Sequence, residues 1–349
     1  MEHSTNMTPA SLPTASSRAW QRFKANRRGY YSLWIFLLLF ILSLFAELLS
    51  NDRPIMVNYE GENYYPLFIT YPETTFGGDF ETETDYLDPY IRDKITTAPN
   101  WSIYPLNHFS FDTINYDAEA ANPAAPSNDN LLGTDDRGRD VLARLIYGFR
   151  VSVLFALVLT IIGTLTGIIA GAIQGYYGGR IDLVSQRLIE VWASMPELYL
   201  LIIFASIFNP SLLLLIILLS LFGWMGLADY VRAEFLKGRN LEFVKAARAL
   251  GLNNRTIMWR HLLPNAMTPV ITFLPFRISG AILALTSLDF LGIGVPPSTP
   301  SLGELLAQGK ENISAWWLSI STFSVLVGTL VLLIFIGEAL RESFDTRRG

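Results

Sequence analysis

LEFVKAARALGLNNRTIMWRHLLPN, residues 241–265, is a basic, alanine-bearing stretch held between two long apolar runs. Asn240 can cap a helix whose first turn contains Glu242, and the run from Phe243 to Leu250 suits a helix that ends at Gly251. A second short helix can start after Asn253 or Asn254 and stop before Pro264, because a proline disfavours helix in the residue before it. The stretch therefore reads as helix, glycine turn, helix. By composition alone, a basic amphipathic helix lying on a membrane surface is the simplest account of Arg248, Arg255 and Arg260. Ala246, Ala247 and Ala249 offer a second account, a thin surface that can seat in a groove on another protein.

Outward from this loop, six segments approach the ~20 apolar residues that a helix needs to cross a hydrocarbon core of ~30 Å. They are 33–49, 151–173, 188–208, 212–227, 269–293 and 317–337, the third and fourth parted only by Asn209-Pro210-Ser211, which fits a helix hairpin. The chain of 349 residues is 51% hydrophobic and 16% charged, more apolar than a soluble core of that length requires. The expected fold is an all-α polytopic membrane protein with six transmembrane helices and an extracytoplasmic insert between helices 1 and 2. A net charge of −5 leaves no basic face for nucleic acid. With no cysteine, and with His3, His108 and His261 far apart and outside any metal-binding spacing, no metal site is expected.

Arg18, Arg22, Lys24, Arg27 and Arg28 precede the first apolar run, yet Leu48 to Asp52 offers no small-residue cleavage site, so the run reads as an uncleaved first span. Basic flanks stay on the cytoplasmic side. That puts both termini, the 174–187 link and the 228–265 loop in the cytoplasm, where Arg180, Arg187, Arg232, Lys237, Arg239, Lys245, Arg341, Arg347 and Arg348 lie. The organisation expected is a cytoplasmic segment 1–31, a first helix 32–50, a periplasmic insert and linker 51–147, a core 148–340 with five helices, and a tail 341–349. The acidic insert is rich in aromatics such as Tyr59, Tyr64, Phe76, Tyr86 and Trp101, unlike a disordered spacer, so it reads as a small ordered unit followed by a Pro/Ala/Asn-rich linker at 122–130. No internal repeat is visible.

Within the spans, Gly163, Gly167, Gly171 and Gly175 recur every fourth residue, a stripe without side chains that lets another helix approach closely. Glu190 and Glu197 bracket Met195-Pro196, and that proline leaves the Trp192 carbonyl without its helical donor, so a kinked helix beside a transport path is one reading. Glu190 equally fits snorkelling or pairing with Arg187. Arg277 and Asp289 in the fifth segment raise the same question and are too far apart on one helix to pair.

Lys245-Ala246-Ala247, three residues, Gly251, nine residues, His261, one residue, Leu263-Pro264 resembles the EAA loop of bacterial ABC importer permeases, E-A-A-x3-G-x9-I-x-L-P. Lys245 stands in place of the glutamate and His261 in place of the isoleucine. LGTDDRGRDVLARLIYG at 132–148 resembles the oligopeptide and dipeptide permease branch, and Gly175-Tyr176-Tyr177-Gly178-Gly179, Ala247 to Leu252 and Phe290 to Val295 continue the likeness. Ser287 to Gly292, Ser301 to Leu306 and the long acidic insert are similar to the permease of Gram-negative microcin C and peptide uptake systems.

The resemblance implies a type I ABC importer permease fold in a bacterial inner membrane, with peptides or peptide-like compounds as cargo. It implies a homologous second permease subunit, an ABC ATPase, a periplasmic substrate-binding protein and surrounding lipid as partners. ATP and Mg would reside in the ATPase, this chain binding no cofactor and catalysing nothing itself. Glu242, Lys245, Ala246, Ala247, Arg248, Gly251, Leu252, His261 and Pro264 would form the ATPase-coupling loop. The stretch from Gly303 to Gly309-Lys310-Glu311 superficially suggests a phosphate loop, but its glycines are one residue too far apart and no Ser or Thr follows Lys310. The rival readings are an ion-coupled secondary transporter using Glu190, Asp289 or Arg277, and a membrane-embedded hydrolase, for which no nucleophile-base pair or paired carboxylates are identifiable.

Overall fold

The computed structural model describes residues 15–116, 118 and 120–344. The expected cytoplasmic residues 1–14 and the tail arginines Arg347 and Arg348 lie outside them. The helices, in order, are α1 (Ala15–Ala25), α2 (Arg27–Leu44), α3 (Ala46–Leu49), α4 (Pro89–Thr96), α5 (Val141–Tyr177), α6 (Gly179–Ala193), α7 (Glu197–Ile207), α8 (Leu212–Ser220), α9 (Met225–Gly238), α10 (Glu242–Ala249), α11 (Asn254–Thr256), α12 (Leu263–Phe290), α13 (Leu302–Glu311) and α14 (Trp316–Phe344). Five continuous rods are long and apolar enough to span a membrane: α2, α5, α8 with α9, α11 to α12, and α14. Taken together, α6 and α7 form a sixth candidate span, bent by 63° at their junction. The fold is thus the expected mostly helical arrangement, with five to six candidate spans.

Four boundaries differ from the sequence reading. The segment expected at 212–227 continues as α8 and α9 to Gly238, its polar second half being supported by packing on α5 rather than by hydropathy. The segment expected at 188–208 is a break rather than a kink, and the Trp192 carbonyl finds a donor in the Met195 N–H at 3.2 Å. The helix after Asn253 does not stop before Pro264. A π-helical turn at Ile257–Leu262 carries it into α12, and the widened turn gives the proline ring room where a regular helix would clash. Asn240 does not cap α10, whose N-cap is Leu241 without a side-chain bond; its amide instead donates to the Leu236 carbonyl at 3.5 Å and helps close α9.

The bundle is organised around α5, which runs along α9 and also meets α12, α2 and α8, while α14 packs on α12, α2 and α13. One apolar core joins Val141, Leu145, Phe149 and Val153 of α5 to Ile282, Leu305, Leu318 and Leu333; a second joins Ile168, Ala172 and Tyr176 to Leu227, Val231 and Phe235. The insert adds β-structure to the helical fold. Strands β1 (Met56–Tyr59), β2 (Glu62–Tyr64) and β3 (Trp101–Ile103) form an antiparallel sheet in the order β2-β1-β3. With α4 they enclose Val57, Phe76, Tyr86, Ile91 and Ile95. The aromatic residues of the insert are thus, in part, a core of its own. Chain direction places this unit and the α10–α11 loop at opposite ends of the bundle.

Candidate functional site

The loop is a locked element. At the end of α10 the Leu252 N–H donates to the Ala247 carbonyl at 3.1 Å and the Gly251 N–H to that of Arg248 at 2.9 Å, with Gly251 at φ +78°. This pair of bonds is the Schellman closure, which glycine enters without steric cost. The Asn253 side chain then caps α11, accepting from the Thr256 N–H at 2.7 Å. Val244 and Ala247 are buried with Ile257, Met258, Leu262 and Phe235, so the loop is fastened to both α9 and the start of α12. Ala247 therefore belongs to the chain's own core, not to an open alanine surface. Ala246 and Ala249 remain exposed, flanked by Phe243, Leu252 and Leu250, the last 81% exposed.

Of the charged positions in the loop, Lys245 pairs with Glu242 one turn back at 2.8 Å. The Arg248 guanidinium lies 5.2 Å from the centre of the Tyr176 ring, and the Tyr176 hydroxyl donates to Asn254 at 2.7 Å. His261 is half-buried within the π-helical turn and Pro264 is exposed just after it. Beside this end of the bundle, a cleft of about 300 Å³ between α5 and α6 is lined by Gln174, Ser185, Leu188 and Trp224.

The glycine stripe of α5 faces α8 and α9 along its whole length. A Cβ at Gly163 would lie 3.3 Å from the Gly223 carbonyl and one at Gly167 would lie 2.9 Å from that of Trp224; at Gly171 and Gly175 it would run into the carbonyls of Ala228 and Arg232. The backbones touch because nothing stands between them.

The four charges singled out as path candidates separate into distinct situations. Glu190 pairs with Arg187 at 2.5 Å on an exposed face. Glu197 is exposed at the start of α7, immediately after the break. Asp289 is buried: it accepts from the Val295 N–H at 2.8 Å and the Ser301 hydroxyl at 2.5 Å, while Ser301 caps α13. It ties the end of α12 to α13 and is a structural fastening. Arg277 donates to the Gly223 carbonyl at 2.9 Å, at the seam between α8 and α9.

Sequence reasoning missed a charged cluster under the insert, although its residues lie in the 132–148 signature. Arg144 is wholly buried and meets Glu304 at 2.5 Å; Arg139 pairs with Asp135 at 2.6 Å and reaches Glu304 at 3.3 Å. Next to it, Asp140 caps α5 and accepts from Asn107 at 2.7 Å and Asn130 at 2.9 Å. Burial pushes the Asp140 carboxyl above its ordinary value against those hydrogen bonds, and burial together with the Asp135 charge raises Asp136. The glycine-spaced stretch that mimics a phosphate loop is helix α13, which supplies Glu304 to this cluster.

Comparison with known proteins matches residues 163–349 to the binding-protein-dependent transport system inner membrane component and residues 14–66 to the N-terminal TM domain of oligopeptide transport permease C. The chain is 51% identical to the peptidoglycan transport system permease protein YejE of Agrobacterium fabrum, covering 97% of this chain and 95% of that one. It is 49% identical to the inner membrane ABC transporter permease protein YejE of Escherichia coli, over 97% of this chain and 99% of that one. Among solved structures, an inward-facing MetNI methionine ABC transporter aligns with a TM-score of 0.49 at 16% identity, over 58% of this chain and 98% of that one. These matches lend no support to ion-coupled secondary transport. The chain belongs to the binding-protein-dependent transport system inner membrane components, and is a multi-pass permease subunit of an ABC importer, a transport protein rather than an enzyme, whose family works with an ATPase and a substrate-binding protein.

Proposed function

We propose that the chain moves peptides or peptide-like compounds, microcin C among them, inward across the inner membrane, and that α10 is where a partner ATPase drives it. Relatives named for oligopeptide, dipeptide and peptidoglycan transport support the cargo class. In this reading the loop and both termini are cytoplasmic, in agreement with the basic flanks, and the acidic insert is periplasmic. ATP and Mg bind in the ATPase, and a homologous second permease completes the path. The insert serves as the docking surface for the substrate-binding protein: residues 51–131 carry 14 acidic side chains against Arg53, Arg92 and Lys94.

The observation that carries the proposal is the double attachment of α10. Its inner face, Val244 and Ala247, shares one apolar core with Phe235 of α9 and with the π-helical turn that leads into α12, and its outer face presents Phe243, Ala246 and Leu250 to a partner. Displacement of α10 is thereby delivered to two spans at once. ATP closes the ATPase pair, α10 moves with it, the spans tilt to open the path outward, and hydrolysis reverses the motion. Coupling of this kind requires different contacts in the two states, since only differential affinity shifts an equilibrium. The outer face, rather than Ala247, is the contact to test.

Leu250→Asp places a charge at the C-terminal end of the outer face without disturbing a buried contact of this chain. In a reconstituted transporter it is expected to abolish ATP-driven uptake and release the ATPase from the purified complex, at unchanged abundance in the membrane. Unaltered uptake and ATPase retention would refute the docking role of α10.

A further inference from the structure

Arg277 occupies an unusual position. It stands 14 residues from Leu263 and 13 from Phe290 in α12, about 20 Å from either end at the helical rise. Its neighbours also lie within their helices, away from the ends: Gly163 lies opposite it in α5, and Gly223 lies at the α8–α9 seam. Two other arginines of the helical bundle have carboxylate partners, Arg232 with Asp182 and Arg187 with Glu190. No carboxylate of the described residues lies within ion-pair distance of Arg277. Its hydrogen bond to the Gly223 carbonyl holds the guanidinium in place and leaves its charge uncompensated, and its Nε is buried without a partner.

Thr160 of α5, one turn from Gly163, also has a buried hydroxyl without a hydrogen-bond partner among the described residues. An ionised side chain at the centre of a membrane span is costly and normally marks a substrate pathway or an ionic partner. A guanidinium presents five donors in a planar fork that matches a carboxylate. A peptide with a free C-terminus carries one such group whatever its length or side chains. We propose that Arg277, steadied by Gly223, is a carboxylate-binding site that receives the terminal or side-chain carboxylate of the cargo as it passes between the spans. The proposal rests on the reading of the chain as a peptide permease. An acidic residue of the second permease is the competing partner.

The test uses the complete transporter, with second permease, ATPase and binding protein, in proteoliposomes. The probes are a radiolabelled pool of short peptides with free carboxylates and the same pool after carboxyl amidation, each loaded onto the binding protein at saturation. Arg277→Gln is expected to lower uptake of the free-acid pool at least tenfold, to the rate of the amidated pool, and to change uptake of the amidated pool less than twofold. Arg277→Lys should retain part of the preference. An equal loss for both pools, or no loss for either, would overturn the site. Loss of the second permease from the purified Arg277→Gln complex would also overturn it, identifying the sister subunit as the partner. If the unaltered transporter takes up neither pool with ATP, the peptide reading fails, and the site with it.

Discussion

At the level of single residues, the most consequential contacts join positions far apart in the chain. Arg144 was visible only as one letter of a signature, because its nearest carboxylate, that of Glu304, lies 160 residues on in α13. Spacing cannot show such a pair. Asp289 was misleading for a related reason: a buried acid near the end of an apolar run resembles a path residue until the chain turns back and supplies Val295 and Ser301 as donors. Removing one member of a buried ion pair leaves the other charge stranded, at a cost of about 3–5 kcal/mol. Glu304→Ala should therefore markedly lower the unfolding temperature of the detergent-solubilised protein. Glu304→Gln, which keeps an acceptor for the Arg144 guanidinium, should lower it less. Equal, negligible shifts in a thermal melt would mean that the cluster does not hold α13 to α5.

At the level of elements, hydrophobic run length located every span, and four-residue glycine spacing identified the face of α5 that touches a neighbour. Local rules failed where tertiary context overrode them. Pro264 reads as a helix stop, but the π-helical turn before it gives the ring room and lets the helix continue. The polar half of α9 lacks the apolar character of a span and is helical because it lies along the glycine stripe. That dependence can be checked. Gly171→Leu would drive a side chain into the Ala228 carbonyl and against Val231, and overpacking of this kind costs about 1–3 kcal/mol or more when backbone must move. The variant should give less monodisperse protein with a lower melting temperature. Gly226→Ala, at a helical glycine with open space where the Cβ would sit, should melt at the same temperature or slightly higher. If the two variants behave alike, close α5–α9 contact is not what secures the bundle.

At the level of the whole molecule, the loop and the insert occupy opposite ends of one helical frame, the arrangement a force-driven importer needs. The loop was legible through its resemblance to a known motif, from which its coupling role is proposed, whereas the internal order of the insert was legible only as an unusual number of aromatics. The structure gives the insert physical independence. Met56 pairs with Ile103 across β1 and β3, and residues 50 and 51 are stitched to Asn107, so the unit leaves and rejoins the frame at adjacent points. Antiparallel partners sit about 5 Å apart, a gap that a two-glycine link spans. Replacing residues 56–103 by Gly-Gly would remove nine acidic and two basic side chains together with the Val57–Phe76–Ile91 core, while leaving the Arg144–Glu304 cluster intact. The shortened chain should still reach the membrane and assemble with its ATPase. Its association with the binding protein should weaken and lose most of its salt dependence, because steering by opposite charge falls as ionic strength rises. Measured by surface-immobilised transporter at low and physiological salt, an unchanged affinity with an unchanged salt slope would show that the acidic unit caps the frame without meeting the binding protein.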